Sequence, residues 1–452
     1  MAAALGLGID ESYMVVAGRG PLQLGYFDHP LISWWMVRTM ADATGSEASW
    51  IVRLPFIVMF AGSTWLMAKL TATIFTPRAG LWAAIALNLS PVFTLSTGGW
   101  VLPDGPLTFF LLAASLCLVN ALPGRGWLWW LGAGLCAGLA MLSKYTAMLT
   151  LGGAVIYLLT QKQHRAWLTR PQPYAAALVA LAVFSPVILW NLENHWASLA
   201  FQGGRAAPAR LDLFGPVRTA LGEAVFVLPW IWASLLWAGW RAVRQGQSVW
   251  RGWLLVCLAA PPILLFVIVS LWSRNVLFHW AAPGYLMLFP LFGAWLAEHA
   301  TWGNHALARS ARWTAGILAS LAAIAVLVVW IDPANGVEQA RDWTGLRGQL
   351  AARNLLGTPV AATSWSEAGK IGIGLGPSEP IYCLNVDARE FRFSPSPPHA
   401  PTLLIISTRR TYDQIESAYG GYFGSIEELP PLDLFEHVQL HLYLGHDQKG
   451  WP

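Results

Sequence analysis

The sequence predicts a polytopic α-helical membrane protein with a small C-terminal α/β domain. Three observations carry that prediction. Charge is scarce: 12% of the 452 residues are charged and 56% are hydrophobic, whereas a soluble globular chain carries about 25% charged residues. Long apolar stretches recur through the first three quarters of the chain. The last quarter then changes to a polar pattern with short apolar runs.

The apolar stretches are judged against roughly 30 Å of hydrocarbon, which about 20 helical residues cross. Ten candidates meet that reading: 51–74, 79–98, 105–122, 127–143, 146–160, 173–190, 224–240, 253–272, 280–297 and 313–331. Gly and Pro inside them are ordinary for membrane helices. The chain holds 27 Trp, and many sit at the ends of the stretches, as in Trp127-Leu128-Trp129-Trp130, where amphipathic rings settle at headgroup level.

Loop charges orient the spans. One set of loops carries Arg78, Arg125, Lys162, Arg165, Arg170, Arg241, Arg244, Arg251, Arg309 and Arg312, with Glu298 almost the only acid. The other set mixes signs: Asp10, Glu11, Arg19, Asp28, Asp42, Glu47, Asp104, Lys144, Glu193, Arg205, Asp212, Glu223 and Arg274. The first set is expected in the cytoplasm and the second outside, with both termini outside. The formal net charge of +4 is small and dispersed. It fits orientation in a bilayer and gives no ground for a nucleic-acid partner.

Residues 332–452 read as a separate outer domain, with 1–331 as the membrane-embedded one. The runs 359–362, 381–384 and 402–406 read as strands, and 337–356 and 411–419 as amphipathic helices. Ser394-Pro395-Ser396-Pro397-Pro398 reads as a loop. The four cysteines, Cys117, Cys136, Cys257 and Cys383, have no metal-ligand spacing, so neither a structural disulfide nor a zinc site is expected. Met1 to Ile9 is apolar but lacks the basic start and cleavage site of a signal peptide.

Chemistry is expected at the mixed-sign face. Asp10 and Glu11 stand side by side, and such acids at a membrane edge are costly unless solvated or used. Asp104 opens a span in Leu102-Pro103-Asp104-Gly105-Pro106. His29, His195 and His279 fall on the same face from three loops, as do Lys144, Arg205 and Arg274. A carboxylate base for a hydroxyl acceptor and cations for a phosphate leaving group make one coherent set. Each residue has a plainer alternative: Lys144 can snorkel from its turn, Arg205 can meet lipid headgroups, His195 can cap a loop, and the acid pair can be a hydrated loop.

The segments Asp10-Glu11-Ser12-Tyr13, Gly25-Tyr26-Phe27-Asp28-His29-Pro30, Pro103-Asp104-Gly105-Pro106-Leu107, Leu139-Ala140-Met141-Leu142-Ser143-Lys144-Tyr145, Ala197-Ser198-Leu199-Ala200-Phe201-Gln202 and His279-Trp280-Ala281-Ala282-Pro283-Gly284-Tyr285 come in one order. Together they resemble the bacterial glycosyltransferases of families 39 and 83, the protein mannosyltransferases and lipid A aminoarabinose transferases. In the tail, 365–370 and 381–385 are similar to that family's outer domain. The resemblance implies a GT-C fold in the bacterial inner membrane, with the site and C-terminal domain on the periplasmic side. It implies a polyprenyl-phosphate-sugar donor, inversion at the anomeric carbon, and Asp10 as the catalytic acid of the first outer loop. It also implies a divalent metal near Tyr26, Asp28 and His29: Asp28 stands for the family's acid, and His29 replaces the basic residue that usually follows. The family has a span before the Asp-Glu pair. Nine residues precede Asp10 here and reach about 14 Å as a helix, so an upstream span is expected.

The expected function is therefore sugar transfer from a polyprenyl phosphate to a hydroxyl of a periplasmic lipid, glycan or protein. Asp10 would be the base, Glu11 its reserve and Asp104 the other outer acid. Lys144, Arg205, Arg274 and His279 would hold the donor phosphate. The rival is a transporter or flippase without catalysis, which would place charges or broken helices near the bilayer centre.

Overall fold

The structure, a computed structural model, describes residues 3, 5–124, 126–207, 210–299, 305–331, 341–393, 400–435 and 438–451. In chain order the first helices are α1 (Ile9–Ala17), α2 (Ile32–Thr44), α3 (Ser49–Ile74), α4 (Pro77–Asn88), α5 (Asp104–Ala121), α6 (Trp127–Ser143), α7 (Ala147–Thr160) and α8 (Pro171–Glu193). They continue as α9 (Ala197–Arg205), α10 (Gly215–Val227), α11 (Pro229–Gln245), α12 (Trp250–Val269), α13 (Ala282–Leu286), α14 (Phe289–His299) and α15 (His305–Ile331). The chain divides into two compact units: one of Met1–Leu22, Trp34–Leu54 and Ser320–Pro452, the other of Gln23–Ser33 and Pro55–Ala319.

The second unit is helical. Among the described residues, four helices are long and apolar enough to cross a membrane: α3, α5, α8 and α12. Counting the bent pair α10–α11 as one span makes five, and α6 and α7 are shorter apolar helices. This is a multi-pass membrane protein, but several of the ten expected stretches are broken. The stretch 79–98 stops as α4 and resumes as a π-helical turn at Val92–Thr97, with Pro91 between them lacking an N–H for the ladder. The stretch 280–297 divides into α13 and α14. The stretch 224–240 is bent by 110° at Leu228, where φ is +80°; Leu228 precedes Pro229, and a residue before proline is disfavoured in the α region, which ends the helix there. Outward side chains of the spans are apolar, such as Leu178 and Trp65, as a lipid-facing surface requires.

Close helix contact in this unit is made by small residues. A Cβ on Gly134 would meet the Ala176 carbonyl oxygen at 2.2 Å, and one on Gly138 would meet Val183 at 2.6 Å. Gly134 and Gly138, one turn apart on α6, thus form the small-residue seam that lets backbones approach in lipid. That seam fixes the ends of α6 and α8, which both carry residues of the site.

The first unit contains a five-stranded sheet: β1 (Val360–Ala362), β2 (Ile381–Cys383), β3 (Thr402–Ser407), β4 (Ser425–Phe435) and β5 (Val438–His446), in the order β2-β1-β3-β5-β4. β1 pairs parallel with β2 and β3, and β5 pairs antiparallel with β3 and β4. Its helices are α16 (Leu346–Ala352), α17 (Trp365–Leu375) and α18 (Tyr412–Tyr419). The three expected strands are present; β4, β5 and α17 are additional. The expected helix 337–356 is α16 where described, with 337–340 outside the described residues, as is the loop 394–398. α17 lies directly on α1, for a Cβ on Gly369 would meet the Tyr13 nitrogen at 2.7 Å. All four cysteines are free.

Candidate functional site

The candidate residues lie in both units, and each set is described by itself. The segments 25–30, 103–107, 139–145, 197–202 and 279–285 lie in the helical unit, and 10–13 lies in the sheet-containing unit.

In the helical unit, α5 and α6 are successive and joined by a short loop, so they run antiparallel. Their lengths of 18 and 17 residues, about 26 Å each, bring the start of α5 level with the end of α6. Asp104 opens α5 in its first turn, with Pro106 behind it, and Lys144 is the extended residue that ends α6. The two meet: Lys144 Nζ donates to both Asp104 oxygens at 2.9 Å, and both residues are buried. His279 and His29 lie within electrostatic reach of that carboxylate. His279 in turn feels Asp104, Lys144 and Arg205, while burial pushes its pKa down to about 4. Its imidazole is thus neutral at pH 7 and can donate one N–H and accept at the other nitrogen. The Arg205 guanidinium stacks on Trp280, 4.4 Å from the ring centre, and reaches Phe201 at 5.7 Å.

The neighbouring loops are tied to the same place. Tyr145 Oη bonds Ser198 Oγ at 2.7 Å, and the Leu199 N–H donates to Asn191 Oδ1 at 3.2 Å. Gly25 sits against Trp190, where a Cβ would come within 2.9 Å of the ring, and Trp190 Nε1 donates to Gln23 Oε1 at 3.1 Å. Gln202 Nε2 donates to the Asp28 carbonyl, and Phe27 packs on Phe201 with ring centres 4.8 Å apart. Asp28 therefore faces this assembly buried, within electrostatic reach of Tyr145.

Other expected residues lie elsewhere. Arg274, 83% exposed in its side chain, pairs with Asp212 at 3.5 Å, and Arg218 bonds the same Asp212 oxygen at 2.9 Å and keeps its carboxyl below the usual range. His195 is exposed in a left-handed turn between α8 and α9, with φ +53°. Glu223, grouped above with the loop acids, is instead buried within α10, accepting a 2.6 Å bond from Tyr285, which itself accepts from Trp232 at 2.9 Å. Sequence reasoning missed this triad because Glu223 stands at the edge of an apolar stretch and its partners are 62 and 9 residues along the chain.

For the metal, the Tyr26 hydroxyl accepts from the Gln23 N–H at 3.3 Å. Among the described residues no three His, Cys, Asp or Glu side chains converge to hold an ion. A metal at Tyr26, Asp28 and His29 therefore has no such cluster behind it, and the proposed transfer is written without one.

In the sheet-containing unit, Asp10 is exposed in the first turn of α1. Glu11 beside it is buried in a two-pronged ion pair with Arg53: Nη2 to Oε2 at 2.5 Å and Nε to Oε1 at 2.8 Å. Glu11 Oε2 also accepts the Gly8 N–H at 2.8 Å, closing the helix start. Arg53 donates on to the carbonyls of Leu5 and Gly6 at 2.8 and 2.7 Å. Glu11 thus ties the start of α1 to Arg53.

Comparison with known proteins bears on both units. Residues 28–190 match the family model described as dolichyl-phosphate-mannose-protein mannosyltransferase. The lipid A galacturonosyltransferase RgtD of Rhizobium johnstonii is 27% identical over 277 residues, which are 59% of this chain and 55% of that protein. The chain spans about half the length of this curated relative. Among solved structures, ArnT of Cupriavidus metallidurans bound to undecaprenyl phosphate is similar with a TM-score of 0.70 and 16% identity, over 100% of this chain and 96% of that one. Its apo form gives 0.66 and 15%, over 99% and 95%. The chain thus has the GT-C fold and, in its sequence, resembles the glycosyltransferases of the protein mannosyltransferase and ArnT type.

Proposed function

We propose that the chain is an inverting glycosyltransferase that moves a sugar from a polyprenyl-phosphate donor to a hydroxyl of a periplasmic lipid, glycan or protein acceptor, in the bacterial inner membrane. The observation that carries this reading is the buried Asp104–Lys144 pair with His279, His29 and Arg205 around it. Buried charges of both signs are costly unless well paired, and they cluster at functional sites.

In this reading Lys144 and Arg205 take the donor's phosphate oxygens and the leaving charge that grows on them. Neutral His279 adds a hydrogen bond. Asp104 holds the ammonium in place until phosphate arrives. Arg274 has a weaker claim, because Asp212 already engages it. Asp10 removes the proton from the acceptor hydroxyl as that oxygen attacks the anomeric carbon, and the sugar–phosphate bond breaks on the opposite face, inverting the centre. Asp10 has this role from its place in the resembling segment and its exposure. The similarity to a protein solved with undecaprenyl phosphate supports the donor class.

The bent α10–α11 pair with Glu223 buried at its base favours one alternative, a flippase of lipid-linked substrates. Mass spectrometry of membrane glycolipids separates the two, comparing cells with the gene, without it, and with Lys144→Ala. The transferase reading expects a sugar-bearing species that disappears in both altered strains. An unchanged glycolipid profile on deletion would overturn it.

A further inference from the structure

The sheet-containing unit holds a polar cavity of its own, lined in part by Ile9 beside Asp10. Its volume is about 260 Å³, and Ser364, Ser366, Asn385, Thr408, Arg409 and Arg410 are among the residues that line it. Its place follows from the strand order. The chain leaves β1 to form α17 and β2 on one side, while β3 pairs on the other side of β1. The crevice beyond the carboxyl ends of β1 and β3 is therefore a topological switch point, where open α/β sheets accept ligands. Thr363 and Ser364 follow β1, Thr408 to Arg410 follow β3, and α17, 11 residues long, starts there with Ser364 as its cap.

The charges at this mouth are unequal. Glu367 is its one acid, and its carboxylate is already engaged. It accepts from Thr363 Oγ1 at 2.6 Å, Thr408 N and Oγ1 at 2.8 Å each, and Ser407 and Ser364 Oγ at 3.1 Å each. Buried Lys370 adds a cation one turn further on, donating to the carbonyls of Leu7 and Arg341. Among the described residues neither Arg409 nor Arg410 makes an ion pair; Arg410 lies over the Tyr419 ring at 5.2 Å. Asp413 borders a neighbouring hollow with Arg410 and does not pair with it. Arg409 and Arg410, serine and threonine hydroxyls, and the positive end of α17 thus line a volume that suits one small anionic group.

We infer that this cavity binds a phosphomonoester, presented either on a soluble sugar phosphate or on a lipid headgroup. The inference does not depend on the transferase reading, since the site would bind without catalysing.

The test uses the full chain. In detergent, inorganic phosphate and glucose 1-phosphate are titrated calorimetrically. Arg409 and Arg410 are also labelled with phenylglyoxal and quantified by mass spectrometry, and the labelling is repeated in nanodiscs of phosphatidylcholine with and without phosphatidic acid. Saturable binding with protection of both arginines by the soluble phosphates identifies a soluble ligand; protection by phosphatidic acid alone identifies a headgroup. The double variant Arg409→Gln/Arg410→Gln should weaken binding at least tenfold. Arg409→Lys/Arg410→Lys should retain part of it. Arg347→Gln, at the far end of α17, should change nothing. Absence of both binding and protection in all arms, or equal binding by the double Gln variant, would overturn the inference.

Discussion

Two buried ion pairs, one in each unit, show how similar chemistry serves different ends. Glu11–Arg53 also bonds main chain, with Gly8 N–H on the acid and the carbonyls of Leu5 and Gly6 on the guanidinium, and has buried Lys370 within electrostatic reach. Asp104–Lys144 has two histidines about it, His279 and His29, and, through His279, Arg205. A pair that closes on backbone holds a chain segment in place. A pair ringed by titratable side chains is, in the proposed reading, charge held for a ligand. Counting buried charges does not separate them; their remaining partners do.

The largest expected effect sets Asp10 against Glu11. Asp10→Asn should cut transfer about 10²–10⁴-fold with membrane insertion intact, whereas Glu11→Gln should keep most activity per folded molecule. If Glu11→Gln abolishes transfer in protein that still melts cooperatively, the structural reading of Glu11 fails. Next comes Lys144→Ala, expected to cost about 10²–10³-fold in transfer at limiting donor. Alone it strands Asp104, so Lys144→Ala/Asp104→Asn should recover thermal stability but not activity. Recovery of both in the double variant would reduce the pair to a packing device.

Stability sharpens the contrast further. Arg53→Met should destabilise by about 3–5 kcal/mol, since it leaves Glu11 buried without its partner. Glu11→Leu/Arg53→Met should regain much of that loss in denaturation. The smallest effect concerns His279. Its folded pKa of about 4 lies below the ordinary 6.5, so between those values the unfolded chain binds more protons and stability falls as pH falls. His279→Gln should flatten the melting-temperature slope from pH 6.5 to 4 relative to the parent. Parallel slopes would show that the ring is not held neutral.

Much of this was legible in the sequence, because apolar length and short-range pattern are local properties. α5, α8 and α12 follow from composition alone, and so do the three strands at 360–362, 381–383 and 402–407. What escaped depended on neighbours. α17 carries Gly369, Gly372 and Gly374, which weaken its helical signal, yet Gly369 is what lets α1 lie against it. Arg53 reads as a stray charge at the head of an apolar stretch until Glu11 is seen beside it. Asp104, Lys144 and His279 are visible as residues, but their meeting requires the antiparallel α5–α6 pair. β4 was hidden by Pro430-Pro431, which argue against a strand interior.

Those two prolines sit at a register shift between Leu429 and Leu432, on the outermost strand of the sheet. They offer no N–H, and their carbonyls are occupied by Arg353, at 2.5 and 2.9 Å. A foreign strand arriving at this margin finds neither donor nor open acceptor there. At the opposite margin β2 is only three residues long. The sheet is therefore blunted at both sides against polymerisation through strand exchange, whichever proteins crowd around it.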